Sequence, residues 1–269
     1  YFYRTTRDML SWVPTPLSYG WTGYYSNIGN MRNSGIEFDI RYDIIKNEDM
    51  NWNVNLNLTH YKNKITKLDE ARKTITIDGV EGYESGSYFF GEGAPLYTYS
   101  MKQYAGVDKE TGLSMWYTNK KVEVLDAEGN PVLDANGNKI TKIEKQKTTD
   151  YSEASNYLCG TALPDLYGGF GTTFTWKGFD LSMDFAYQIG GQVYDGDYAS
   201  AMSSPISNSK GSAIHADILK AWTPDNKDSN IPRFQYGDNY TAPTSDRFLT
   251  DASFLSLRNI NLGYTLPAH

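Results

Sequence analysis

Glu37, Asp39 and Asp43, with Arg41 among them, are the side chains that chemical type and spacing single out first. Two carboxylates flanking a glycosidic bond suffice for acid–base hydrolysis. Their spacing gives a simpler account, because successive side chains of an extended strand point to opposite faces. Ile36, Phe38, Ile40, Tyr42 and Ile44 fill the alternate positions, so a wetted sheet face explains the acids without catalysis. Asp134, Asn136 and Asn138 are spaced like the first ligands of a calcium loop. The glycine and the distal glutamate of that loop are misplaced, however, and the three belong to a tandem repeat, LDAEGNPV then LDANGNKI. Glu128-Gly129-Asn130 and Asn136-Gly137-Asn138 are strong turn formers, so the repeat reads as hairpin turns.

No other constellation carries a mechanism. The chain has no G-x-S-x-G elbow, H-E-x-x-H pair, phosphate-binding loop or G-x-G-x-x-G after a strand. The single Cys159 cannot form an internal disulfide, and His60, His215 and His269 are too dispersed for a zinc site. A non-enzymatic protein is expected, with no catalytic residue, cofactor or metal ligand. A net charge of -7 argues against a nucleic-acid surface, which needs clustered Lys and Arg.

The elements that position these groups are strands. Residues 34–46 alternate with period two, and after a polar turn at 47–50 the segment NWNVNLNLTHYK sets Trp52, Val54, Leu56 and Leu58 against Asn53, Asn55, Asn57 and Thr59. A second hairpin, LYGGFGTTFTW and FDLSMDFAYQIGGQVY, turns at Trp176, Lys177 and Gly178. Asp180 and Asp184 on its second strand would be ruinous in a dry core and suit a wet lumen. Eight strands are expected, near 1–10, 34–46, 51–64, 96–107, 112–118, 166–176, 179–194 and 252–266, although the facing of 96–107 is not assignable. The connections then alternate long (11–33, 65–95, 119–165, 195–251) with short (47–50, 108–111, 176–178), as in outer-membrane barrels with short periplasmic turns and long extracellular loops. A strand such as 34–46 is ~43 Å long and at ~40° tilt rises ~33 Å, enough to clear an apolar band of ~25 Å.

Composition agrees. Mean hydropathy is -0.56 and no run approaches 18 apolar residues, which excludes a spanning helix but not a barrel strand, apolar on one face only. Tyr (22) outnumbers Phe (11) and Trp (6), a bias suited to membrane interfaces and equally to a secreted carbohydrate-binding β protein. The start YFYRTTRDML reads as strand, so an internal start is expected.

Several segments together resemble the SusC/RagA family of TonB-dependent outer-membrane transporters: NIGNMRNSGIEFDI (27–40), YAGVDKETG (104–112), LPDLYGGFGTTFTWKGFDLSMDFAYQIGGQVYD (163–195), ILKAWTPDN followed by NIPRF, and DASFLSLRNINLGYTLP (251–267). The resemblance implies an all-β antiparallel transmembrane barrel of ~22 strands with a plugged lumen, sited in the Gram-negative cell outer membrane. It implies import of glycan oligosaccharides or peptides, a SusD-like surface lipoprotein as lid, and the TonB complex as power source. Residues 1–269 would be a partial barrel domain, its later strands, with the plug and last strands absent.

On this reading Ile36, Phe38, Ile40, Tyr42, Val54, Leu56, Leu181, Met183, Phe185, Ile260, Leu262 and Tyr264 face outer-membrane lipid. Trp21, Tyr24, Tyr25, Tyr236 and Tyr240, placed in long loops, are candidates to stack on substrate or to pack loop against loop. Arg41 and Arg258, on strands, are expected to pair with lumen acids or a plug. Ile214, Ile218, Leu219 and Trp222 recur at helical spacing and are expected to pack on neighbouring loops. Two alternatives stay open: a passive small outer-membrane barrel acting as pore or adhesin, and the secreted carbohydrate-binding protein.

Overall fold

A computed structural model of the chain describes residues 1–15, 17–204, 213–237 and 243–266, without the side chains of Ser11, Val13, Pro14 and Leu17. In chain order the strands are β1 (Phe2–Pro14), β2 (Gly23–Lys46), β3 (Met50–Leu68), β4 (Ile75–Ile77), β5 (Val80–Ser85), β6 (Tyr88–Gly91), β7 (Thr98–Lys102) and β8 (Tyr104–Val107). They continue as β9 (Ser114–Glu123), β10 (Thr141–Thr148), β11 (Asn156–Thr161), β12 (Leu166–Trp176), β13 (Phe179–Ile189), β14 (Gln192–Tyr194), β15 (Leu249–Asp251) and β16 (Phe254–Tyr264). Among the described residues the α-helix is one short element, Gly196–Ala201, and no helix there is long and apolar enough to cross a membrane.

The chain divides into two compact units, the first comprising Tyr1–Tyr99, Gly160–Val193 and Asp251–His269, the second Ser100–Cys159 and Tyr194–Thr250. The first is built on a six-stranded antiparallel sheet in the order β1-β2-β3-β12-β13-β16. Each strand pairs with its sequence neighbour in the sheet, and β12 is registered against both β3 and β13 over its full eleven residues. At one end the connections are tight. Asn47 Oδ1 accepts the amides of Asp49 (3.0 Å) and Met50 (2.8 Å), closing β2 onto β3. Lys177 (φ 44°) and Gly178 (φ 88°) form the two-residue turn from β12 to β13, in which left-handed φ at both positions matches the twist of the flanking strands. At the other end the chain leaves the sheet between β3 and β12 and between β13 and β16.

Six of the eight expected strands make this sheet, and 96–107 and 112–118 lie in other sheets. The expected long connection 11–33 is also corrected: β1 and β2 run on to Pro14 and from Gly23, leaving a short link that holds a 3-10 turn at Leu17–Tyr19. Above the apolar rows β2 need not alternate, because Ile28, Ile65 and Leu68 are buried there and the segment after β6 pairs with β3 through Ile65 N to Ala94 O (2.9 Å) and Gly93 N to Ile65 O (2.8 Å). The strand expected over 179–194 breaks at Gly190 and Gly191, whose φ values of 78° and 79° are left-handed. Segment 96–107 defied a facing assignment because Thr98, Tyr99, Ser100 and Met101 are all buried, so neither side of β7 is a polar face.

In the second unit β8, β9 and β10 form a three-stranded sheet. The turn expected at 108–111 is present: Asp108 Oδ1 accepts the amides of Glu110 (2.9 Å) and Thr111 (2.8 Å). The tandem repeat forms two successive turns. Asp126 Oδ1 accepts from the amides of Glu128 and Asn130, and Asp134 Oδ1 from those of Asn136 and Asn138, so both carboxylates are engaged by their own turns. The expected helical stripe is a 3-10 helix, Ala216–Lys220. Ile218 joins a small core with Ala199, Met202 and Phe248, whereas Leu219 is 90% exposed.

Gly168 shows how tightly the sheet is specified. A methyl group there would sit 2.1 Å from the Asn57 carbonyl oxygen and 2.8 Å from the Tyr187 hydroxyl. Gly168→Val is therefore expected to destabilise the full protein by about 1–3 kcal/mol, read as a lower temperature for loss of the compact band on semi-native gels. Thr173→Val on the same strand should stay within about 0.5 kcal/mol; equal behaviour would show that the glycine is not a packing requirement.

Candidate functional site

The sheet sorts its side chains by polarity. Residues directly opposite each other in a ladder share a face, so the registers define rows: Ile36-His60-Leu166-Ile189, Phe38-Leu58-Gly168-Tyr187-Leu255, Ile40-Leu56-Phe170-Phe185-Leu257 and Tyr42-Val54-Thr172-Met183-Ile260. Below them lie Ile45-Trp52-Phe174-Leu181-Leu262 and Met50-Trp176-Phe179-Tyr264. All twelve side chains expected on the apolar face thus occupy one face. They are far from buried: Phe38 is 53% exposed, Ile260 58% and Leu262 77%. The ten steps from Phe179 to Ile189 span ~34 Å, which at ~40° tilt is a band ~26 Å tall.

Two bulges keep the alternation in phase. The register shifts between Asp43 and Ile45, so Ile45 rather than Ile44 stands opposite Trp52, correcting the expected facing of Ile44. In β16 the shift falls between Leu257 and Asn259. Arg258 is the extra residue there, which explains why the apolar positions change from odd (Leu255, Leu257) to even (Ile260, Leu262, Tyr264). Aromatic side chains gather at the short-turn end of the band: Trp52 donates from Nε1 to Thr172 Oγ1 at 2.9 Å, and Phe179 lies against Tyr264 with ring centroids 4.4 Å apart.

The reverse face is polar across the same strands, with rows Asp39-Asn57-Gly169-Ala186-Ser256, Arg41-Asn55-Gly171-Asp184-Asn259 and Asp43-Asn53-Thr173-Ser182-Asn261. Asn53 Nδ2 donates to Asp43 Oδ1 (2.8 Å), Asn261 Nδ2 to Ser182 Oγ (3.3 Å) and the Gly169 amide to Asn57 Oδ1 (2.9 Å). Arg41 pairs with Asp39 at 3.6 Å, both well exposed, an ion pair of little energetic weight. Among the described residues no group of three or more His, Cys, Asp or Glu is placed to hold a metal. Hydrocarbon on one side and hydrogen-bonding groups on the other is an arrangement for separating two solvents.

The aromatics named as loop candidates are spread along the chain. Tyr24 and Tyr25 are on β2, not in a loop, and as neighbours in a strand they point to opposite faces; Tyr25 meets Trp12 of β1 edge-on at 5.2 Å. Trp21 lies in the link before β2 and is 68% exposed. Tyr236 is in a turn of the second unit and equally exposed, and Tyr240 lies outside the described residues. Absent from the sequence reading is a cluster of cations on β2 and β3 above the apolar band, Arg32, Lys62 and Lys64; the parity of the two strands, carried past residue 36, would have found it.

No family model matches the chain. It is 28% identical over 99% of its length to TonB-dependent receptor P26 of Formosa agariphila and 24% identical over 98% to the TonB-dependent receptor SusC of Bacteroides thetaiotaomicron. It spans 25% and 23% of those proteins. Among solved structures, the RagAB peptide transporter superposes on 98% of the chain with a TM-score of 0.74 and 30% identity, the chain covering 26% of that protein. The likeness to the SusC/RagA type therefore holds in sequence and in fold across nearly the whole chain. With it come the antiparallel outer-membrane β-barrel architecture and a place in the outer membrane.

The second unit contains a set of groups perturbed by burial. The Asp246 carboxylate accepts the Tyr104 amide at 2.7 Å, while the Arg247 guanidinium stacks 5.2 Å from the ring centroids of both Tyr104 and Phe248. Burial pushes the Tyr104 hydroxyl up to about 12, raises the Asp246 carboxyl and lowers Arg247. A raised folded value means that Asp246 binds its proton more tightly folded than unfolded. Its contribution is complete below the unfolded carboxylate value of about 3.9 and is lost as pH rises through the folded one. Asp246→Asn, uncharged and of the same shape, is expected to slow hydrogen exchange around residues 104 and 246 at pH 7.5 relative to the parent, with no difference at pH 3.5. Equal protection at both pH values would contradict that assignment.

Proposed function

We propose that this stretch is part of the wall of an outer-membrane importer that takes up an oligomeric nutrient, peptide or glycan, with energy delivered through TonB to a plug formed elsewhere in the protein. The observation that carries the reading is the two-faced sheet, whose exposed apolar rows match a bilayer in height while the reverse face offers amides, hydroxyls and carboxylates to an aqueous lumen. Its outer strands, β1 and β16, have no further partner among the described residues. Open sheet edges do not persist in hydrocarbon, so additional strands of the same barrel would pair with them.

The likeness to SusC and to the RagAB transporter supports a surface lipoprotein as lid over the long connections, and supports transport rather than catalysis as the task. The lumen face suits passage of polar oligomers because it offers hydrogen-bonding groups, several of them joined to one another, as in the Asn53–Asp43 and Asn261–Ser182 pairs.

Two measurements bear on the reading. Phe38→Arg should cost about 2–4 kcal/mol of barrel stability in a bilayer and Asp39→Arg at most about 1 kcal/mol, measured by denaturant titration in vesicles; equal costs would remove the assignment of faces. Cells lacking the full-length gene should lose uptake of the oligomeric nutrient, and dissipating the proton-motive force should reproduce the loss. Uptake that persists without that energy source would instead support a passive pore.

A further inference from the structure

The face that carries the apolar rows continues upward on β2 and β3, toward the end of the sheet with long connections, and its chemistry changes abruptly. Above the Ile36-His60 row come Ser34 opposite Lys62 and Arg32 opposite Lys64. These rows stand ~7 and ~13 Å further along the strands, ~5 and ~10 Å higher at ~40° tilt, in and just above the polar layer that flanks a hydrocarbon core. On the reverse face the same segment carries Asn33 and Asn63, joined by a 2.7 Å hydrogen bond, with Asn63 Oδ1 also taking the Leu96 amide at 2.7 Å. On β2 and β3 the cations thus stand on the apolar side, whereas Arg4 of β1, opposite Asn33, belongs to the reverse face.

None of the three is paired with a carboxylate within 4.0 Å among the described residues. Lys62 and Lys64 are exposed. Arg32 is held by Tyr3 of β1, donating to its hydroxyl at 3.2 Å with the guanidinium 5.4 Å from the ring centroid, which leaves the rest of its fork available. All three line one cavity of about 390 Å³, where Asp165 is the acid and sits toward Gly190. Lys67, further along, shares a different cavity with Asp8, Asp69 and Glu70 and is not counted.

We infer that Arg32, Lys62 and Lys64 form a binding site for the phosphate of an outer-leaflet lipid headgroup. Arginine forks and lysine ammonium groups are the usual phosphate partners, and cations just beyond a hydrocarbon band attract anionic headgroups while their stems lie along the acyl region. The lipid is favoured over free phosphate because Arg32, Lys62 and Lys64 share the face on which the apolar rows would seat acyl chains. The inference rests on the orientation proposed above, which the Phe38→Arg measurement tests separately.

The test uses the full-length protein in phosphatidylcholine nanodiscs doped with monophosphoryl lipid A, or with its dephosphorylated form, and native mass spectrometry to count retained lipid. The parent protein is expected to retain the phosphorylated lipid at least about tenfold more than the combined Arg32→Gln, Lys62→Gln, Lys64→Gln variant, and Lys62→Arg with Lys64→Arg should keep it. If the triple variant does not assemble, Lys62→Gln with Lys64→Gln, both exposed, gives the same comparison with a smaller loss. Equal retention by the glutamine variants, equal retention of the dephosphorylated lipid, or displacement by millimolar inorganic phosphate would each overturn the site. With Phe38→Arg still destabilising, the orientation survives such a result.

Discussion

Register across the six strands is the constraint on which the rest of this structure depends. Side chains alternate with a period of two, so a slip of one residue in any strand would carry its entire apolar set to the polar side. The ladders hold phase from β2 to β16, and where the sequence loses phase a bulge restores it, at Asp43–Ile45 in one strand and at Arg258 in another. Gly171 and Gly263 belong to the same constraint: each stands where a methyl group would collide with the carboxylate of Asp184 or Asp180. Glycine here makes room on the lumen side of the sheet for acids that a dry core would exclude.

From that register the functional geometry follows. Rows of Ile, Leu, Phe and Tyr form a band with a height set by strand length and tilt, bounded by aromatic side chains at the short-turn end. At the other end the same face becomes cationic at Arg32, Lys62 and Lys64. Hydrocarbon, then an aromatic or cationic boundary, then water is the order a bilayer imposes on a protein surface. On the polar reverse face, Asn–Asp, Asn–Ser and amide–Asn hydrogen bonds link neighbouring strands.

Much of this was legible in the sequence, and what was legible had a physical cause. Residues 34–43 and 179–189 alternate without interruption, so their strand character and facing could be read directly, whereas the bulge after Asp43 left Ile44 misassigned. The start of β2 at Gly23 could not, because above the band Ile28 packs against other protein and alternation is no longer required. Segments 96–107 and 112–118 were recognisable as strands but not as members of separate sheets, since Tyr99 and Met101 of β7 and Trp116 of β9 are buried by tertiary contacts that no local pattern encodes. The aromatics singled out as substrate contacts were chosen by residue type and by their expected place in long loops, and loop bounds are what a local pattern fixes least. Tyr24 and Tyr25 prove to be strand residues, and Trp21 and Tyr236 lie in different units.

The most direct test of the two-solvent sheet is fluorescence quenching in the full-length protein reconstituted into bilayers, with an environment-sensitive label at one cysteine at a time. Labels at Ile40, Leu181 and Leu262 should be quenched by nitroxides on lipid acyl chains and shielded from a water-soluble quencher, and labels at Asp39, Ser182 and Asn261 should show the reverse. Indistinguishable quenching of the two sets would contradict the account.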